Sequence, residues 1–220
     1  LDADEDGYGS TTIQATPSID CSAVGVSSRN DDCDDGEKNT FPGAAPDDNL
    51  TACMKDVDGD GFGDKSPGVG IAAGTDCNDN NDDIHPDATE VCNSIDDNCD
   101  GDFDDQDTNI DQNSQTSFYH DADGDGFGDP NDMLLRCVQP VDYITDNSDC
   151  DDAKDLAYPG VAFLETGTAC MYDLDEDGYG DSTPSGTATA GSDCDDSDEF
   201  TYPGAAFEES STVCMTDGDE

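Results

Sequence analysis

The sequence predicts an irregular, small-β tandem repeat array with few helices, elongated, and held together by something other than an apolar core. Three observations lead there: an extreme acidic excess, eleven cysteines spread along the chain, and a nine-residue motif that recurs four times.

The chain carries 57 Asp and Glu against 6 Lys and Arg, a formal net charge of -51 over 220 residues. Like charge at that density expands a chain, and little opposes it. The hydrophobic fraction is 32%, much of it Ala and Cys, with no Trp. Such a composition cannot bury enough apolar area to offset chain entropy, so cations must neutralise the carboxylates and covalent links must close the loops. The same charge excludes a nucleic-acid partner, whose phosphates it would repel. No apolar run is long enough to span a bilayer.

Eleven Cys in a Gly- and Asp-rich chain argue for disulfides and hence an extracellular or cell-surface setting. Thiolate zinc sites would want CxxC pairs, and none occurs.

The repeated motif reads DADEDGYGS at 2–10, DVDGDGFGD at 56–64, DADGDGFGD at 121–129 and DLDEDGYGD at 173–181. A second motif follows each copy: DCDD at 32–35, DCND at 76–79, and DCDD at 149–152 and 193–196. Nine residues after each motif Cys comes a Pro (Pro42, Pro86, Pro159, Pro203), preceded by Phe41, His85, Tyr158 or Tyr202. Three of the four continue as Pro-Gly, a turn signal. The Ser/Thr/Gly/Pro stretches between motifs lack a helical period and read as short strands or irregular loops. The repeat units are 1–55, 56–120, 121–172 and 173–216, with 217–220 starting a fifth copy, so the chain reads as a piece of a longer repetitive protein.

In three units a Cys lies twenty residues after the motif Cys, which predicts the disulfides Cys33–Cys53, Cys150–Cys170 and Cys194–Cys214. In the remaining unit Cys92 stands fifteen after Cys77 and four before Asp96, much as Cys53 stands three before Asp56, so Cys77–Cys92 is the expected homologue. That alignment exposes a degenerate loop within 96–107, with Asp96, Asn98 and Asp100 at positions one, three and five and Gly101 at six. Cys99 is then expected to pair with Cys137, and Cys21 with a cysteine outside this segment.

Alternating Asp in a tight turn brings carboxylates to one centre, as a hard divalent cation with six to eight oxygen ligands requires. The candidate ligands at positions one, three and five are Asp2, Asp4 and Asp6; Asp56, Asp58 and Asp60; Asp121, Asp123 and Asp125; and Asp173, Asp175 and Asp177. At position seven Tyr8, Phe62, Phe127 and Tyr179 offer a backbone carbonyl, and at nine Asp64, Asp129 and Asp181 offer another oxygen, with Ser10 in the first loop. This resembles the first half of an EF-hand loop, but position twelve lacks the bidentate Glu, being Ile13, Pro67, Asp132 or Pro184, so the sites are not EF-hands. The missing ligands are therefore expected from the downstream motif: Asp32 and Asp34, Asp76 and Asp79, Asp149 and Asp151, Asp193 and Asp195. Several calcium ions per chain are the expected cofactors.

The order of Asp loop, DCDD, PGA and a DNCDG-like end resembles the MopE-type metal-binding repeat of secreted bacterial and archaeal proteins. The loops are also similar to thrombospondin type 3 and dockerin repeats, which implies calcium and an extracellular structural role. The MopE-type name implies copper, but the imidazole and soft ligands copper prefers are scarce, with only His85, His120 and four Met. Asn49-Leu50-Thr51 is a sequon for a glycan at Asn49 if the chain is secreted.

Catalysis finds no support: there is no nucleophile, base and orienter set and no phosphate-cradling Gly loop. The expected function is a non-enzymatic, calcium-rigidified segment of a surface protein, stalk, adhesin or filament, its partners being calcium and neighbouring repeats or other copies in a fibre. The alternatives are capture of calcium or copper, or an accessory module of a secreted enzyme.

Overall fold

The computed structural model describes residues 2–10 and 29–216. Cys21 and the start of a fifth unit at 217–220 lie outside the described residues. The chain divides into two compact units, 1–114 and 115–220.

In the first unit, β1 (Thr40–Pro42) pairs antiparallel with β2 (Cys53–Lys55), Phe41 facing Met54 and Pro42 facing Cys53. A 3-10 turn spans Asp104–Gln106. In the second unit β3 (Thr116–His120) is the centre of a three-stranded antiparallel sheet between β4 (Met133–Arg136) and β5 (Tyr143–Ile144). There β6 (Thr201–Pro203) pairs with β7 (Cys214–Thr216) in the register of β1 and β2, Pro203 facing Cys214. A lone bridge between Pro159 and Cys170 keeps the same register in the third repeat. No α-helix occurs among the described residues. The molecule is a small-β, disulfide-stabilised repeat array.

The hairpins that follow Pro42, Pro159 and Pro203 each turn at a Pro-Gly step. Gly43 has φ 87° and its N–H donates to the Ala52 carbonyl at 2.9 Å, and a Cβ there would meet the Leu50 carbonyl. The hairpin sets the second Cys beside the first, so Cys33 bonds to Cys53, Cys150 to Cys170 and Cys194 to Cys214.

The irregular repeat departs from the expected pairing. Cys77 bonds to Cys99, not to Cys92, and Cys99 is therefore not the partner of Cys137. The His85 N–H donates to the Asp97 carbonyl, so 97–99 occupies the place of β2 and Cys99 takes the role of Cys53. The Cys77 and Cys99 Cα atoms are 5.6 Å apart, within bridging reach, and the loop between them is 22 residues instead of 20. The repeat is lengthened by two rather than shortened by five. Cys92 and Cys137 are each disulfide-bonded.

The interior is acidic. Ten hydrophobic residues are buried among those described, against twelve carboxylates, including Asp76, Glu90 and Asp193 with no exposed surface. Apolar packing is confined to small nests, such as Val161, Ala162 and Met171. Those nests seat the loop of the following repeat. Gly63 packs on Ala45 and Met54, and Gly180 on Ala162 and Met171. Backbone bonds hold the same joint, Asp47 N–H to the Gly61 carbonyl and Leu164 N–H to the Gly178 carbonyl. Asp48 accepts the Gly63 and Thr75 N–H groups, and Glu165 accepts that of Gly180.

Candidate metal centres

Each Asp loop is folded by its own side chains. At position five, Asp6, Asp60, Asp125 and Asp177 each use Oδ1 to accept the N–H of the aromatic residue two ahead, at 2.7 to 2.8 Å. At position three, Asp4, Asp58, Asp123 and Asp175 do the same for position five. At position one, Asp2, Asp56 and Asp173 accept the N–H of the Gly at six through Oδ2. That closure needs a left-handed residue: Gly7, Gly61, Gly126 and Gly178 have φ between 93° and 101°. Position four is left-handed too, and there two loops carry Glu, Glu5 at 66° and Glu176 at 63°.

This scaffold uses one oxygen of each of these Asp at positions three and five and leaves the other facing inward. Among the described residues, fourteen carboxylate oxygens are buried without a hydrogen-bond partner, and they fall into four sets. The sets are Asp2, Asp4, Asp6 and Asp32; Asp58, Asp60 and Asp76; Asp123, Asp125 and Asp149; and Asp173, Asp175, Asp177 and Asp193. A buried, unpartnered carboxylate oxygen is costly, and three or four pointing at one another are sustained only by a proton or a cation. The ligand-capable oxygens of Asp2, Asp4 and Asp6, and of Asp56, Asp58 and Asp60, lie within 4.8 Å of one another. The cysteine sulfurs beside Asp76, Asp149 and Asp193 are in disulfides and present no thiolate.

The downstream motif closes every loop through its main chain. Asp32, Asp76, Asp149 and Asp193 donate their N–H to the carbonyls of Gly9, Gly63, Gly128 and Gly180. Position nine runs parallel to this segment, with Ser10 beside Asp32, Asp64 beside Asp76 and Asp181 beside Asp193. The side chains of Asp64, Asp129 and Asp181 cap the turns that follow them.

Of the motif carboxylates, the first and fourth face the loop. The fourth residues, Asp35, Asp79, Asp152 and Asp196, each accept the N–H of loop position two: Ala3, Val57, Ala122 and Leu174. The sequence reading selects Asp79 but otherwise the third residue, and the structure places that residue elsewhere. Asp34 and Asp195 are exposed, and Asp151 pairs with Lys154 at 2.9 Å. Strict register with Asp79 is the signal that identifies Asp35, Asp152 and Asp196.

Burial, reinforced by neighbouring carboxylates, raises the pKa of Asp76, Asp125 and Asp177 to about 6 and that of Asp196 to about 7. Asp6, Asp32, Asp56, Asp60, Asp123, Asp149, Asp173 and Asp193 shift the same way, burial again being the main cause. The Asp residues displaced upward all belong to the loops and their motifs, and buried Glu90, outside them, is raised by burial as well.

The aromatic at position seven stacks on the residue before the repeat's Pro: Tyr8 on Phe41, Phe62 on His85, Phe127 on Tyr158 and Tyr179 on Tyr202, with centroids 5.0 to 5.2 Å apart. His85 thus fills an aromatic slot. His120 meets Asp152 through Nδ1 at 3.2 Å.

The degenerate loop differs. Asp96, Asn98 and Asp100 accept N–H bonds as their counterparts do, from Gly101, Asp100 and Asp102. None of their side-chain oxygens is buried without a partner, and Asn98 donates to Asp107. Buried Glu90 accepts the N–H groups of Asp97 and Asp104, and Asp97 and Asp104 accept those of Val91, Asn93 and Ser94. This second acidic cluster is satisfied by backbone donors.

Segments 32–46, 76–105, 149–163 and 193–208 match the family model Cu-binding MopE, described as "Putative metal-binding motif". Each match begins at the first Asp of a downstream motif, the residue whose main chain docks on the loop. No curated protein and no solved structure matches the chain. The MopE-type match and the carboxylate groupings point to metal binding. No helix among the described residues is long and apolar enough to cross a membrane.

Proposed function

We propose that this chain is a non-enzymatic, extracellular structural segment in which four loop-plus-motif centres hold calcium ions, and that the ions and disulfides together make tandem repeats stiff. The observation that carries the reading is the set of fourteen buried, partnerless carboxylate oxygens, among the described residues, in four corresponding places. The ligands at each centre are the carboxylates of positions one, three and five and of the first motif Asp, with the position-seven carbonyl and further oxygens completing the shell. Calcium supplies charge neutralisation and oxygen-only coordination, and it accepts the flexible shell such loops provide. Copper would want imidazole or sulfur. Here His85 is stacked on Phe62, His120 is tied to Asp152, and the described cysteines are oxidised. A cation that binds only the folded chain stabilises it by mass action. Stalk, adhesin and filament are all served by such an array.

The test is metal content after exhaustive dialysis, with thermal unfolding of the oxidised chain in calcium, magnesium and EDTA. The reading expects about four retained calcium ions, one per centre, and a large calcium-specific rise in melting temperature. Copurifying copper, or a melting temperature indifferent to EDTA, overturns it.

A further inference from the structure

The four centres share a plan, but the residue immediately before each loop differs, and in two centres it reaches the fourth motif Asp. In the second centre Lys55 Nζ lies 2.8 Å from Asp79 Oδ2 and 3.7 Å from Asp64. Asp79 is thereby fully engaged, its Oδ1 accepting the Val57 N–H at 2.8 Å. In the third centre His120 takes that place against Asp152. In the fourth centre the equivalent residue is Tyr172, whose ring carries the Lys154 ammonium at 4.5 Å. Asp196 there keeps the bond from Leu174 N–H, but the described residues direct no ammonium at it. Asp196 faces Asp181, Asp175 and Asp193, and burial with these neighbours lifts it to about 7.

We propose that Lys55 sets the cation affinity of the second centre, making it release its ion before the fourth centre does. The inference rests on the calcium reading above and concerns how the centres are graded. The ammonium acts twice in the same direction. It relieves carboxylate repulsion in the ion-free centre, so an entering cation has less to relieve, and it repels that cation within one acidic shell. The second and fourth centres share six carboxylates, Asp56, Asp58, Asp60, Asp64, Asp76 and Asp79 against Asp173, Asp175, Asp177, Asp181, Asp193 and Asp196; the fourth adds Glu176 where the second has Gly59 and Asp195 where it has Asn78, so the Lys55 substitution within the second centre isolates the ammonium. One unit charge beside a divalent ion, partly screened by solvent, changes affinity by about tenfold or more.

The test follows calcium titration of the full oxidised chain by amide NMR. Gly61 and Gly178 donate their N–H groups to Asp56 and Asp173, so each amide reports its own centre. In the unmodified chain Gly178 reaches its bound position at lower calcium than Gly61. Lys55→Met moves the Gly61 midpoint at least about tenfold lower and leaves Gly178 in place. Tyr172→Lys, which sets an ammonium near Asp196, moves the Gly178 midpoint higher. If Gly61 in Lys55→Met titrates at the original midpoint or above it while Gly178 still responds, Lys55 is only a structural pair for Asp79 and the inference is overturned. If neither glycine responds to calcium in any variant, the calcium reading itself fails, and this inference with it.

Discussion

Replacing Asp76 with Asn should stabilise the ion-free chain and forfeit much of that gain once the cation binds. Asp76 has no exposed surface; its Oδ1 accepts the Asn78 N–H at 2.7 Å and its Oδ2 has no partner. Burial, with Asp60, Asp58 and Asp79 nearby, raises its pKa from 3.8 to about 6. A lift of about two units corresponds to roughly 3 kcal/mol of disfavoured ionisation at pH 8. Asn keeps the acceptor for Asn78, carries no charge, and offers an NH2 to the inward oxygens of Asp58 and Asp60. In EDTA at pH 8 the variant should therefore gain about 1 to 3 kcal/mol. In saturating calcium it loses a charged ligand, and a loss of about tenfold in affinity removes roughly 1.4 kcal/mol. Calorimetry in excess EDTA and in excess calcium should show the gain in EDTA shrinking in calcium, and native mass spectrometry should count one ion fewer at limiting calcium. Destabilisation in both media would make Asp76 a structural residue. An unchanged ion count, with as large a gain in calcium as in EDTA, would remove it from the centre altogether.

The ion-free protein should also lose stability as pH rises. A carboxyl whose folded pKa exceeds its unfolded value of 3.8, as for Asp76, Asp125 and Asp177 at about 6 and Asp196 at about 7, holds its proton better when folded. Between about pH 4 and 7 the folded state binds more protons, so the melting temperature of dialysed protein should fall across that window, and in calcium it should rise because proton and cation compete for the same oxygens. A falling curve in both media would refute the competition. Changing both Cys77 and Cys99 to Ser opens a 22-residue separation and should cost about 3 kcal/mol, while peptide mapping of the unmodified chain should recover a Cys77–Cys99 linked fragment and none joining Cys77 to Cys92. Glu176→Gly should stabilise by roughly 0.5 to 1 kcal/mol, because Glu176 holds φ 63° where Gly59 and Gly124 occupy the same position at 85° and 84°. A lower melting temperature in that variant would show that the Glu side chain contributes more than its backbone strain costs.

Much of each loop was legible because its bonds are local. Asp at one, three and five and Gly at six specify side-chain-to-backbone bonds spanning two to five residues, and spacing along the chain determines those directly. The twenty-residue interval between Cys33 and Cys53 is likewise a property of one hairpin. Where the interval changes, spacing fails: Cys92 and Cys99 are both plausible mates for Cys77 along the chain, and the choice falls to whichever segment pairs with His85. That segment is 97–99.

The sequence by itself determined the repeat, the acidic loops, the need for cations and the expectation that a downstream motif closes each loop. Tertiary structure decided which atoms of that motif face inward. Two adjacent Asp in a DCDD run are equivalent as letters, but the motif's main chain binds the Gly at loop position eight, and this turns the first and fourth carboxylates toward the loop while the third meets solvent or Lys154. It also decided that Asp96, Asn98 and Asp100 make a loop without inward orphan oxygens, since a copy of the pattern lacking a docked motif satisfies its carboxylates with backbone donors. Local pattern fixes a turn; only the partner brought from 20 to 30 residues away fixes what the turn encloses.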